Sequence, residues 1–291
     1  MNVSDLGEFG LIEKMRKYAS ITSSVVKGIG DDTAVLRHTK DKYLLFTTDM
    51  LVEGTHFTRR MGGGPIGHKA LACSISDIAA MGGAPTHAVV SLGVAPKMPV
   101  RFVEDIYKGM GALAERFGVS IVGGDTVRSD KVVINVALLG EVAKKYLVTR
   151  GGAKPGDWIF VTGSLGRSLA TGKHLNFTPR LKEARFLVRN FKPSAMMDIS
   201  DGLAGDLNHI LKASRVGARL WDNAVPLTRG ATLAQALTDG EDFELLFTLK
   251  GSQAMRLLKW QNKRRSWFFY PIGEIIADRR QTVKAKGYTH F

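Results

Sequence analysis

The run Lys69-Ala-Leu-Ala-Cys-Ser-Ile-Ser-Asp77-Ile-Ala-Ala-Met-Gly82-Gly83 constrains this chain more than any other stretch. It reads as a helix: Pro65 suits the first turn, small and apolar residues fill the body, and Gly82 suits a left-handed C-terminal cap. The apolar residues lie all round it, which describes a helix buried on most sides. One acid, Asp77, sits in its middle, and no other Asp or Glu occurs between Glu53 and Glu104. A buried carboxylate needs a partner, either a cationic side chain or a metal ion. The helix alone leaves both open.

At 291 residues the chain has room for one large or two medium domains. No apolar run approaches the roughly 18 to 20 residues of a membrane span. The N-terminal residues lack a basic region followed by an apolar one, so no secretory signal is expected. The single cysteine, Cys73, excludes an internal disulfide, fits a cytoplasmic protein and reads as a small core residue. The net charge of +14 points to an anionic partner, either nucleic acid or a phosphorylated small molecule. The densest basic cluster, Lys259 to Arg265, alternates with Trp260 and Trp267 and reads as a solvated helix face and loop.

Taken in order, residues 4 to 18 show helical spacing behind a Ser4 cap. Gly28-Ile-Gly-Asp-Asp32 is a tight turn ending in carboxylates, and Tyr43 to Asp49 is a β-rich run ending in polar oxygens. Gly62 to Pro65 reads as a loop. Ala88 to Val94 reads as a strand, Val100 to Phe117 as an amphipathic helix, Val119 to Asp125 as a strand ending in Gly-Gly-Asp, and Val132 to Leu139 as a further strand. Near residues 141 to 157 the character changes to a turn-rich connector. Trp158 then opens a second α/β unit with helices over 179–190 and 203–214 and a strand over 245–249. The expected division is 1–143 and 144–291.

Asp31, Asp32, Asp49, Asp77, Asp125, Asp198 and Asp201 sit in turns, at expected strand ends or alone in a helix. Each could simply shape a turn, because an Asp side chain bonds nearby backbone. Together, with Thr47 and Thr48 adding neutral oxygens, they form a hard oxygen donor set of the kind that holds Mg²⁺ beside phosphates. Phosphoryl transfer needs such positioning and charge neutralisation more than a protein nucleophile. No G-x-x-x-x-G-K-[ST] run and no H-R-D with D-F-G set is present.

These residues carry a resemblance. Gly28 to Asp32, Thr47-Thr-Asp49, Glu53-Gly-Thr-His-Phe57, Ser76 to Gly82, Gly123-Gly-Asp-Thr126, Thr149 to Asp157, Asp198-Ile-Ser-Asp-Gly202, Gly240-Glu-Asp-Phe-Glu244 and the ending Lys286 to Phe291 resemble, in order, the thiamine-monophosphate kinase family. That family belongs to the aminoimidazole ribonucleotide synthetase-like superfamily. The resemblance implies an α/β (α+β) fold of two domains: an N-terminal mixed sheet with helices that pairs into a homodimer, and a C-terminal α/β domain closing the cleft. It implies ATP and several Mg²⁺ in that cleft, and direct in-line transfer of the γ-phosphoryl group to thiamine monophosphate. Carried over by position, Asp32, Thr47, Thr48, Asp49, Asp77, Asp125, Asp198 and Asp201 would hold metal, with Asp77, Asp125 and Asp201 as the catalytic acids. Tyr107, Gly124, Asp125, Arg150 and Ser200 would meet ATP. His56, Glu241 and Tyr288 would hold the thiamine phosphate.

Relatives with a reactive cysteine in an N-terminal loop or a Cys-bearing tail are disfavoured, because Cys73 lies in the helix and the chain ends in His290-Phe291. An aminoimidazole ribonucleotide synthetase-like enzyme is the nearest alternative. A basic nucleic-acid binding protein is a more distant one.

Overall fold

The structure, a computed structural model, describes residues 2–264, 267–285, 287, 288 and 290. Arg265 of the basic cluster and Lys286, Thr289 and Phe291 of the terminal motif lie outside the described residues. The chain opens with α1 (Val3–Arg16), broken at Gly7, where φ is 65°. Its N-terminal cap is Asn2 and not Ser4, which lies inside the helix; the Asn2 N–H donates to Asp5 Oδ2. There follow β1 (Val25–Lys27), β2 (Ala34–Arg37), β3 (Lys42–Val52), α2 (Gly63–Ala80), β4 (Ala84–Val94), α3 (Val100–Phe117), β5 (Ser120–Arg128) and β6 (Val133–Ala143). The strands form one mixed sheet in the order β1-β2-β3-β6-β4-β5, antiparallel except for the parallel pair β4 and β5 joined through α3.

The second sheet is built from β7 (Asp157–Val161), then α4 (Ser168–Thr171), α5 (Lys173–Asn176), α6 (Leu181–Asn190), β8 (Ala195–Asp198), α7 (Leu203–Ser214), β9 (Gly217–Leu220), α8 (Leu233–Thr238), β10 (Leu245–Lys250), α9 (Gly251–Lys263) and β11 (Tyr270–Ile276). Its order is β8-β10-β7-β11-β9, antiparallel throughout. One core cluster joins α6 and α9 to this sheet through Leu187, Leu257 and Phe247; another gathers Leu207 and Ile210 of α7 with Ile159 and Leu246.

Period-two alternation sets the first sheet. Ile134, Val136 and Leu138 of β6 are fully buried with Val90 and Leu45 against α2 and α3. The opposite face is open and apolar, with Phe46, Met50, Val89 and Val127 exposed. Between the two sheets lies α2. Its apolar flank joins the first core, while Ala79 and Ala80 enter the second with Leu187 and Phe160. It meets α3 backbone to backbone. A Cβ at Gly67 would fall 1.8 Å from the Ile106 carbonyl oxygen, and one at Gly109 would fall 2.0 Å from that of Gly64. Only glycine permits such an approach.

Three sequence expectations are corrected. Gly63 to Pro65 belong to α2 and not to a loop. Asp49 does not end its strand: β3 stays paired to β6 as far as Val52 with Val133. Asp125 likewise lies inside β5, which runs on to Arg128 beside β4. In both cases the ladder to the neighbour carries the strand past its polar residues.

Candidate active site

Three acids from distant parts of the chain converge. Asp32 comes from the turn before β2, Asp77 from α2 and Asp198 from the end of β8, and one carboxylate oxygen of each lies within 4.8 Å of the others. Short hydrogen bonds aim them. Thr47 Oγ1 donates to Asp77 Oδ2 at 2.5 Å, and Ser76 Oγ donates to Asp198 Oδ2 at 2.5 Å. Ser74 Oγ donates to Asp49 Oδ2 at 2.6 Å. Arg150 donates to Asp32 Oδ1 through Nη2 at 2.6 Å and Nε at 3.2 Å. The other oxygen, Asp32 Oδ2, is buried with no hydrogen-bond partner among the described residues.

Burial dominates the electrostatics. It raises the Asp32 carboxyl to about 7, against the pull of Arg150, and Asp198 to about 6. Asp77 is pushed well above the carboxylate range by burial and then by the charges of Asp49, Asp198 and Asp32. Burial works against the Arg150 charge, but Asp32, with Asp31 and Asp198, together outweigh it and hold it cationic. Carboxylates this close cannot all ionise at neutral pH without a compensating cation. The donors are all hard oxygens, one of them orphaned, which fits Mg²⁺.

Beside these acids opens a cavity of about 1280 Å³. Its lining includes Thr48, Asp49, His56, Arg150, Ser200, Asp201, Glu241 and Tyr288. Glu8, Phe9 and Ile12 of α1, a helix with no buried residue, line it too. Phe9 lies against His209, ring centres 4.5 Å apart. His56 Nδ1 accepts from the Val52 N–H at 3.0 Å, and its ring is 5.2 Å from that of His290. The Tyr288 N–H donates to the Asp201 carbonyl at 2.8 Å, fastening the tail to the cavity.

Residues 30–142 match the N-terminal domain of the AIR synthase related proteins, and residues 171–286 match the C-terminal domain. A thiamine-monophosphate kinase of Aquifex aeolicus is 35% identical over 320 aligned positions, covering 100% of both chains. One of Bacillus subtilis is 34% identical, covering 98% of this chain and 100% of its own. The chain belongs to the thiamine-monophosphate kinase family. Among solved structures, AaThiL complexed with AMPPCP and TMP superposes with a TM-score of 0.88 at 33% identity, covering 100% of this chain and 99% of that one. The kinase from Stenotrophomonas maltophilia K279a gives 0.76 at 29%, covering 97% and 98%.

Not every residue implied by the family resemblance lines the cavity. Tyr107 on α3, Gly124 and Asp125 on β5, and the gathered Asp32, Thr47, Asp77 and Asp198 do not. Asp125 does share a face with the cavity wall. Met50, Asn135, Ser91 and Asp125 form one row across β3, β6, β4 and β5. That row lies on the face of the sheet away from α2, whereas Thr47 and Asp49, which bond Asp77 and Ser74 of α2, alternate with Met50 on the other face. Gly124 faces the opposite way, where a Cβ would fall 1.8 Å from the Val90 carbonyl oxygen. Asp31 accepts from the Arg150 N–H at 3.1 Å and pairs with Lys27 at 3.4 Å, so it braces the turn.

Sequence reasoning passed over Lys69, Ser74 and Ser76. Lys69 is fully buried; its Nζ donates to Glu241 Oε1 at 2.6 Å and to the His56 carbonyl at 2.9 Å. A signal was available in the spacing. Lys69, Cys73 and Asp77 lie at i, i+4 and i+8, with Ser76 alongside, a non-aliphatic stripe on one side of an apolar helix. Cys73 on that stripe is buried yet lines the cavity.

Proposed function

We propose that the protein phosphorylates thiamine monophosphate with ATP, by direct in-line transfer assisted by several Mg²⁺ ions. The observation that carries this reading is the convergence of Asp32, Asp77 and Asp198 beside a cavity large enough for two substrates. Family membership supports the substrate pair, since the superposed AaThiL structure is described as holding AMPPCP and TMP. Asp32, Asp77 and Asp198, with Thr47, Thr48, Asp49 and Asp201, are the residues that would hold metal. Bound Mg²⁺ supplies neutralisation of the phosphate charge that gathers during transfer.

The remaining work falls to the chain's own groups. Arg150, held now by Asp32, would offer its guanidinium to the ATP phosphates, and Ser200 lines the same cavity. The rigid α2 fixes where Asp77 stands, so the reacting oxygens meet in line. His56 and Tyr288 hold the phosphate and ring ends of the acceptor. No side chain needs to take the phosphoryl group covalently. In this reading residues 1–143 bind ATP and metal, and 144–291 close the cleft. A second copy covers the open sheet face at Phe46, Met50, Val89 and Val127. Of the residues the family resemblance gives to ATP, Asp125 stands on that side of the sheet, whereas Gly124 faces the other way and Tyr107 belongs to α3.

The test is incubation with Mg²⁺, thiamine monophosphate and ATP whose γ-phosphorus is made chiral with oxygen isotopes. Thiamine diphosphate formed with inverted configuration is expected. Retention would mean a covalent phosphoenzyme, and no product would remove the reading altogether.

A further inference from the structure

Lys69 is buried in full, and the phosphoryl-transfer reading gives it no task. An ammonium group out of water is costly unless its hydrogen bonds are made. Here they reach across the two halves of the molecule: Nζ holds the His56 carbonyl at 2.9 Å on the first half and Glu241 Oε1 at 2.6 Å on the second. The loop bearing Glu241 is itself strained. Glu241 and Phe243 both adopt positive φ, 65° and 49°, a conformation non-glycine residues rarely hold. It is kept there because the Glu241 N–H donates to the Ser200 carbonyl at 2.7 Å and Ser168 Oγ donates to the Glu241 carbonyl at 2.6 Å.

The second carboxylate oxygen is the decisive atom. Glu241 lines the cavity, and its Oε2 is buried with no hydrogen-bond partner among the described residues. With Lys69 donating to Oε1, the carboxylate is held in place and Oε2 is left as the unpartnered acceptor. A buried acceptor without a donor is costly, so the site favours a ligand that brings an N–H to it.

We propose that Lys69 is a positioning residue. It orients Glu241 so that Oε2 accepts a hydrogen bond from an exocyclic amino group on the heteroaromatic ring of the substrate. Lys69 thereby sets specificity for an amine over a carbonyl at that ring position. This rests on the thiamine monophosphate reading for the identity of the ring, while the geometry of the pair does not depend on it.

The experiment compares thiamine monophosphate with oxythiamine monophosphate, in which a carbonyl oxygen replaces the ring amine. Binding is measured by calorimetry without ATP, and turnover with ATP and Mg²⁺. The wild type is expected to favour the amine by about 10²-fold or more, since a site built for a donor rejects an analogue lacking it. Lys69→Met should raise KM for thiamine monophosphate about 10-fold, leave KM for ATP unchanged and reduce the discrimination to within a few-fold. Lys69→Arg should restore part of it.

Glu241→Gln guards against a misfolded Lys69 variant. Lys69 must hold the amide oxygen, which turns the NH₂ toward the cavity, so this variant should prefer the carbonyl analogue. Adding Lys69→Met to it should abolish that inversion. If the wild type turns over thiamine monophosphate but the Lys69 variants keep its discrimination, this inference falls and the kinase reading stands. If the wild type binds neither compound, both fall.

Discussion

Replacing Asp77 by Asn should make the metal-free protein more stable while disabling it. At 4.8 Å an ionised pair repels by about 3.5 kcal/mol at an effective dielectric near 20. Asp77 has such neighbours in Asp198 and Asp32, and part of the repulsion is already relieved by protonation and by Arg150. The lost hydrogen bond is small, because the Asn side-chain oxygen still accepts from Thr47 Oγ1. The net gain at pH 8 should be about 1–2 kcal/mol, or roughly 3–6 °C in Tm for domains of this size. Activity should fall by about 10²-fold or more, as when a group that stabilises transition-state charge is removed. Thermal melts in chelator and in Mg²⁺, with a thiamine diphosphate assay beside them, read both effects. A variant that melts lower than wild type in chelator, or that Mg²⁺ stabilises as strongly as wild type, would refute the reasoning.

Two other outcomes are expected. Asp32, Asp198 and Asp201 are held at about 7, 6 and 6, above their unfolded values near 4, so their contribution to stability is full below about pH 4 and is lost as pH rises through 6 to 7. Between pH 5.5 and 8 the Tm in chelator should therefore fall, and saturating Mg²⁺ should flatten that decline; a Tm that climbs over this window in chelator contradicts it. Gly67→Ala, whose Cβ would fall 1.8 Å from the Ile106 carbonyl oxygen, should cost about 3 kcal/mol or more, whereas Gly111→Ala, with open space around it on α3, should be neutral or gain up to about 1 kcal/mol. Equal melting shifts for the two would mean that α2 and α3 do not touch through backbone.

The central helix was legible because its information is local. Proline near the start, an apolar body and a glycine at the end specify α2 without reference to any other segment, and Gly82 does adopt φ of 73°. The gathering of acids was legible in kind, through the hardness of the donors, and not in distance. Which three acids meet depends on how β8 docks against α2, a contact between residues more than a hundred positions apart. The ends of β3 and β5 were misjudged for a related reason. A strand ends where its neighbour stops pairing, and Asp49 and Asp125 sit opposite β6 and β4 residues that continue the ladder. Lys69 and Glu241 stand 172 positions apart, and nothing local to either announces the other. The basic residues from Lys259 to Lys263 do fall on a helix, α9, which closes one face of the second core through Ala254 and Leu257.

Asp32 and Asp77 belong to the half built on the first sheet, and Asp198 ends a strand of the second. Any ion held by all three would therefore act as a reversible staple between two sheets that already share α2. Its removal would loosen the coupling between them as well as the hold of each one. Calorimetric traces in chelator would then broaden or split where the loaded protein melts in a single event.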